Sequence, residues 1–207
     1  RDSIMAYKQH FIEWFSGKGG TNKPNFAWDR DVNGATATMQ NSFDGGFGFN
    51  ITASGQSIAN HFNNKTQYSG KSSTFISVVN APSSSTTLTQ WGLVEDKANI
   101  GLLNNKSGYI FGISGNAHYC YTGDATGRGY TDMSTTVDGD AHAYKAVRAG
   151  SNCEFYYDGV LNTTRTENLP TVALQPAIRC EWQSSAETIK IRYLECYNTW
   201  PTQSMTN

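Results

Sequence analysis

Apolar and polar residues alternate with a period close to two along most of the chain. QHFIEWF (9–15) and FAWDRDV (26–32) predict short aromatic strands, and GATATMQ (34–40) alternates small and polar residues. NSFDGGFGFNITAS then supplies a Gly-Gly turn and a strand with Phe47, Phe49 and Ile51 on one face. SIANHF (57–62) follows, and then STFISVVNA (73–81), which is apolar enough for a buried strand. LTQWGLVED (88–96), NIGLLN (99–104), YIFGIS (109–114) and AHYCYT (117–122) predict a closely spaced set, joined by the turn-forming NNKSG and GNA. HAYKAVRA (142–149), NCEFYYDGV (152–160), QPAIRCEW (175–182) and ETIKIRYLECYNTW (187–200) complete the series.

Residues 123–140 hold many glycines and little apolar content, so they predict the longest loop. Pro170, Pro176 and Pro201 are expected at strand borders, where a missing N–H costs least. Beyond a short stretch within residues 1–15, no amphipathic helix is predicted. Many short strands at close spacing imply an antiparallel β-sandwich. With no internal repeat and no linker-like shift in composition, residues 1–207 read as one domain.

The alternation also assigns faces. Cys153, Phe155 and Tyr157 form a core set, which turns Glu154 and Tyr156 outward before Asp158-Gly159 reverses the chain. Ile178, Cys180 and Trp182 point inward by the same rule, and Arg179 and Glu181 outward. His142, Tyr144 and Arg148 share one face. Lys190 and Arg192 lie opposite Ile189 and Ile191.

Composition supports this picture. Charged residues make up 16% and aromatics 13% of the chain, with 20 glycines, a mix poor in helix formers. The formal net charge is −1 and no run of five like charges occurs, which argues against nucleic-acid binding by bulk electrostatics. No apolar run approaches the ~20 residues of a membrane-spanning helix, so no membrane insertion is expected. Cys120, Cys153, Cys180 and Cys196 contain no C-x-x-C pair; they are either buried free thiols or include one disulfide. N-x-S/T sequons begin at Asn50, Asn64, Asn105 and Asn162.

In the C-terminal region, CEFYYDGVLNTTRTENLP is followed by QPAIRCEW and then by IKIRYLECYNT. This order resembles the C-terminal half of concanavalin A-like, laminin-G-type jelly rolls. Together with EWFSGK and DGGFGF, the chain is similar to uncharacterised laminin-G-like proteins of bacteriophage and environmental genomes. The resemblance implies an all-β, antiparallel two-sheet jelly-roll sandwich. It further implies a structural or adhesion module of a virus particle or extracellular surface assembly, with a glycan on the concave sheet face. The fold also includes glycoside hydrolases and polysaccharide lyases, so fold alone does not choose.

If the strands from residue 142 onward are neighbours in one sheet, then His142, Tyr144, Arg148, Glu154, Tyr156, Arg179, Glu181 and Arg192 line one face. Aromatic rings stack on sugar C–H faces, and Arg and Glu give directional hydrogen bonds to hydroxyls. The plain alternative is a solvated ladder of salt bridges among Arg179, Glu181, Glu154 and Arg192. An enzyme is the second functional reading. A retaining glycosidase needs two carboxylates about 5 Å apart, yet the E-x-D-x-E run of laminarinase-type members is missing. Asp124, Asp138 and Asp140 are oxygen ligands suited to calcium, or simply Asp-Gly turn residues. The four histidines are dispersed, which disfavours a transition-metal site. Aromatic residues near the ends (Phe11, Trp14, Phe15, Trp200) suggest packing of terminal strands, or self-association into a homo-oligomer or larger assembly.

Overall fold

The computed structural model describes residues 10–14, 29–33, 36–39, 47–51, 57–61, 68–81, 88–95, 106–181 and 187–198. Side chains are described for residues 48, 68–81, 88–95, 106–181 and 189–198. The described elements are all strands: β1 (His10–Trp14), β2 (Asp29–Asn33), β3 (Thr36–Met39), β4 (Phe47–Ile51), β5 (Ser57–His61), β6 (Tyr68–Ser69), β7 (Ser72–Asn80) and β8 (Leu88–Val94). They continue as β9 (Gly108–Ser114), β10 (Ala117–Gly123), β11 (Arg128–Thr136), β12 (Ala141–Ala149), β13 (Asn152–Tyr157), β14 (Val160–Arg165), β15 (Ala173–Glu181) and β16 (Glu187–Asn198).

They form two antiparallel sheets. The first has the order β14-β13-β12-β7-β16-β4-β3, with β1 also paired to β16. The second runs β11-β10-β9-β8-β15-β5-β2, with β6 also paired to β15. The alternating apolar side chains of both sheets meet in one core. Trp91, Phe111, Ile113, Leu174 and Ile178 come from the second sheet and Phe75, Tyr144, Phe155, Ile191 and Leu194 from the first. Tyr144 packs edge-on against Trp91 and Phe111, with ring centroids 5.0 and 5.3 Å apart. The Trp91 indole N–H donates to Ser77 Oγ at 2.8 Å, so its polar atom is satisfied inside the core.

The Asp158-Gly159 reversal is a two-residue hairpin loop with φ of 48° and 80°. Positive φ at both positions is the geometry that suits the twist of the flanking strands. Cys153 and Phe155 are buried, and Glu154 and Tyr156 lie on the outer face.

Three expectations change. Residues 123–140 are not one loop, because β11 occupies Arg128–Thr136 and pairs with β10. Its alternation is concealed by polar residues, as expected for an edge strand with only Met133 buried within it. Pro176 lies inside β15, not at its border. There β6 pairs with residues 173–174 and β5 with residues 177–181, so the absent N–H falls between two partner strands. Arg192 is the extra residue of a bulge between the Ile191↔Val79 and Tyr193↔Val78 pairs. The bulge shifts the phase, and Leu194 and Cys196 become the inward residues. All four cysteines are buried free thiols. β1 pairs along β16, which places Phe11 and Trp14 in the first sheet. The predicted strand 99–104, Phe15, Trp182 and Trp200 lie outside the described residues.

Candidate functional site

The eight residues grouped from the sequence do not share a face. β15 belongs to the second sheet, whereas β12, β13 and β16 belong to the first. Tyr144 and Arg148 point between the sheets and are 1% and 3% exposed. Arg148 donates to the carbonyls of Gly150 and Asn152, capping the turn that follows its own strand. His142 holds Asp138 and Asp158 at 2.9 and 2.7 Å and stacks on Tyr157. Glu154 and Tyr156 remain together on the outer face of the first sheet, where the Tyr156 hydroxyl donates to Glu154 at 2.6 Å. The Lys145 ammonium lies 5.1 Å from the Tyr156 ring centroid. Arg179 and Glu181 form an ion pair of 2.7 Å on the far side of the molecule. The expected four-residue salt-bridge ladder is therefore reduced to this pair.

The aspartates do not converge either. Asp124 closes the β10–β11 turn, accepting from the backbone and hydroxyl of Thr126 and from Gly127 N–H. Those bonds hold its carboxyl below its ordinary pKa. Asp138 and Asp140 lie beyond the other end of β11, where Asp138 accepts from Asp140 N–H. Among the described residues, no group of three His, Cys, Asp or Glu side chains could hold a metal ion.

A different constellation emerges from strand register on the outer face of the second sheet. One cross-strand row runs Gln175–Val94–Gly108–Gly123–Arg128. The next runs Ala177–Gly92–Ile110–Tyr121–Tyr130. A third runs Arg179–Gln90–Gly112–Tyr119–Asp132. Five strands at their usual spacing make this face ~19 Å wide from β15 to β11. The middle of every row is small or aliphatic. Tyrosines flank it on the β10–β11 side, and polar side chains on the β15 side.

Local chemistry maintains this profile. A Cβ at Gly92 would meet the Tyr109 carbonyl and lie 2.7 Å from Ile110 Cα, so the close approach of β8 and β9 requires glycine there. A Cβ at Gly112 would lie 2.9 Å from Tyr121 Cε2, because the Tyr121 ring lies across that glycine. Tyr119, Tyr121 and Tyr130 form a triangle with centroid separations of 6.2, 6.1 and 5.8 Å. Exposure is graded across it. Tyr121 is 6% exposed, its hydroxyl pushed up to about 12 by burial, whereas Tyr130 on the edge strand is 62% exposed. Away from the β10–β11 edge this face is buried: Val94, Ile110 and Ala177 form an apolar cluster with Tyr121, and Gln90 and Gln175 beside them are also buried.

Sequence reasoning missed this face for a specific reason. AHYCYT displays Tyr119 and Tyr121 at i, i+2, a signal of two rings on one face. Tyr130, however, lay in a segment without an evident strand, so the third ring had no predicted neighbour.

No family model matches the chain, and no curated protein sequence does. Solved structures do match its fold. A Bacillus licheniformis beta-glucanase superposes with a TM-score of 0.66 at 10% identity, covering 92% of this chain and 98% of that one. The Emp47p carbohydrate recognition domain gives 0.65 at 10% identity, covering 91% and 95%. The catalytic domain of an endo-1,3-beta-glucanase (laminarinase) from Thermotoga petrophila gives 0.62 at 11% identity, covering 94% and 99%. The chain thus has the concanavalin A-like jelly-roll fold, shared by glycosidases and carbohydrate-recognition domains.

Proposed function

We propose that this chain is a non-catalytic glycan-binding module and that sugar rings dock on the outer face of the second sheet at the β10–β11 edge. The observation that carries the reading is the Tyr119–Tyr121–Tyr130 triangle, with one ring buried as a base and one 62% exposed. Aromatic faces stack on sugar C–H groups, and a rigid ring loses little conformational entropy on binding. The glycan-handling proteins with which it shares its fold support the reading at the level of architecture. Affinity electrophoresis in gels containing a polysaccharide panel tests it. Tyr130→Ala should abolish retardation while leaving the melting temperature close to that of the unaltered chain. No retardation of the unaltered chain by any polysaccharide would refute the reading.

A catalytic reading is favoured by one observation. In the register of the second sheet, Asp29 and Asp31 of β2 pair with His61 and Ala59 of β5, which pair in turn with Ala177 and Arg179. That brings two carboxylate-bearing positions to the strand rows described above. Against it, the described carboxylates of this face are already occupied: Asp132 accepts from Ser134 N–H, and Glu181 pairs with Arg179. They also sit on strands at opposite sides of the face, whereas glycoside hydrolysis needs two carboxyls flanking one bond. Release of reducing ends that is lost in Asp29→Asn or Asp31→Asn would establish catalysis.

Membership of a virus particle or extracellular surface assembly is supported by the sequence resemblance alone. Light scattering of the purified chain addresses it, a closed oligomer or filament being the expected result.

A further inference from the structure

We propose that Arg165 is a positioning residue of the candidate glycan face: from the opposite sheet it holds the stretch of β11 that carries the exposed Tyr130 ring. The inference rests on the glycan-binding reading and adds what keeps that ring in place. β11 and β14 are terminal strands of the second and first sheets. Backbone pairing among the described residues therefore secures β11 on its β10 side alone. Arg165 pairs in register with the buried Cys153, on the inward side of β14, and reaches across to the other sheet. Its Nη1 donates to the Tyr130 carbonyl at 3.2 Å and to Thr131 Oγ1 at 2.9 Å. Nε donates to Thr122 Oγ1 at 3.3 Å, and that buried hydroxyl in turn donates to the Glu167 carbonyl at 2.9 Å. The third nitrogen, Nη2, lies over Gly129, where an added Cβ would collide with it and come within 3.0 Å of Cζ. One guanidinium thus brackets residues 129, 130 and 131.

Strand register explains why the hold acts on the ring. Tyr130 pairs with Tyr121 and turns outward, while Gly129 and Thr131 pair with Thr122 and Cys120 and turn inward. The guanidinium therefore grips the inner side of the strand and leaves the ring free on the outer side. Tyr119 and Tyr121 support that ring from within the sheet, but at 62% exposure most of it projects beyond them. A ring held in place before the sugar arrives loses less freedom on binding, and groups that never touch the sugar can supply that hold. Arginine suits this work because its planar fork offers several N–H donors in fixed directions, which lysine does not. Asn162 makes a second link between the same strands, its Nδ2 donating to the Met133 carbonyl at 2.7 Å. That link secures the edge without touching the Tyr130 segment.

The test compares the unaltered chain with Arg165→Ala, Arg165→Lys, Gly129→Ala and Asn162→Ala. Affinity electrophoresis in gels containing a soluble β-glucan, xylan or mannan measures binding, and hydrogen exchange of the backbone amides of β11 reports on the strand itself. Arg165→Ala should weaken binding roughly five- to tenfold, the weight of one ordinary hydrogen bond, and should speed exchange around Tyr130. Gly129→Ala should do the same while keeping the arginine, because the added methyl displaces the mobile end of a long side chain. Arg165→Lys retains a donor and should recover part of the affinity. Asn162→Ala removes a link between the same two strands and should leave affinity within about twofold. An equal loss in Asn162→Ala would mean general loosening of the edge and overturn the role of Arg165. Unchanged affinity or unchanged exchange in both Arg165→Ala and Gly129→Ala would overturn it too, leaving glycan binding through Tyr130 in place. Binding of none of the three polymers by the unaltered chain overturns the glycan reading and the role of Arg165 with it.

Discussion

The Tyr144 hydroxyl lies 3.0 Å from His118 Nε2 and joins the two sheets across the core. Tyr144 belongs to β12 of the first sheet and His118 to β10 of the second. The other ring nitrogen, Nδ1, lies 2.8 Å from Thr135 Oγ1 on β11. Both nitrogens of a 1% exposed imidazole are thus engaged by hydroxyls, which can satisfy the neutral ring as one donor and one acceptor, and burial disfavours the charged ring.

That geometry predicts acid sensitivity. Burial, reinforced by the positive field of His142, lowers the His118 pKa to about 4. The unfolded ring titrates near 6.5, so the unfolded chain binds the extra proton between these values. The neutral ring's contribution is therefore present above about pH 6.5 and is lost as pH falls toward 4, by on the order of 2–3 kcal/mol. Denaturant unfolding at pH 7 and pH 4.5 measures it. His118→Gln should lose less stability between those two pH values than the unaltered chain, and equal losses would exclude His118 as the cause.

His142 should respond in the opposite direction. Its partial burial disfavours the charge, but hydrogen bonds to Asp138 and Asp158 outweigh this and raise its pKa. A raised folded pKa gives a contribution that is full below the unfolded value of about 6.5 and fades as pH rises through the folded value. Both aspartates are about half exposed, so the contribution is small, roughly 0.5–1 kcal/mol. Asp158 also accepts from Ala143 N–H at 2.8 Å, which keeps the hairpin turn in place after His142 deprotonates. Proton NMR titration of the His142 ring should give a midpoint above 6.5 that falls in Asp158→Asn. A midpoint at or below 6.5 would rule the clamp out.

Much of this architecture was legible in the sequence because period-two alternation survives wherever a strand has one buried face. Cys153, Phe155, Ile178, Cys180 and the outward Glu154, Tyr156, Arg179 and Glu181 all fall where alternation puts them. Alternation gives the side of a strand but not the sheet to which that strand belongs. Arg179 and Glu154 are both outward, yet they lie on opposite outer faces, because the chain crosses between sheets from β14 to β15. The sequence likewise gave no account of His142, Tyr144 and Arg148 as inward residues. Polar types on one face look like a binding surface until their partners are known: His118 in the core for Tyr144, turn carbonyls for Arg148, and the half-exposed Asp138 and Asp158 for His142. The tyrosine triangle stayed hidden because its third member lies on a polar edge strand.

The thiols should be inert in the folded chain. Burial raises the pKa of Cys120 and Cys180 to about 12, and places Cys153 and Cys196 well above the ordinary thiol value. The thiolate is the reactive form, so native chain at pH 8 should take up almost no aromatic disulfide reagent, whereas chain in denaturant should take up four equivalents, one per cysteine. Fewer than four equivalents in denaturant would reveal a disulfide.

The two glycines of the candidate face separate folding from binding. At Gly92 an added Cβ meets the backbone of Tyr109 and Ile110, which cannot move without parting β8 from β9. Gly92→Ala should therefore destabilise the chain by about 1–3 kcal/mol, with a matching drop in melting temperature. At Gly112 the closest obstacle is the ring edge of Tyr121, with backbone no nearer than 3.4 Å. A ring can tilt where a backbone cannot, so Gly112→Ala should cost roughly 1 kcal/mol or less. Its main effect should fall on the triangle, because tilting Tyr121 displaces the surface against which Tyr119 and Tyr130 pack. Gly112→Ala should therefore weaken glycan retardation while melting close to the unaltered chain. The reverse pattern, intact binding with a large loss of stability, would show that Tyr121 is held for the sandwich alone and that the exposed rings act without it.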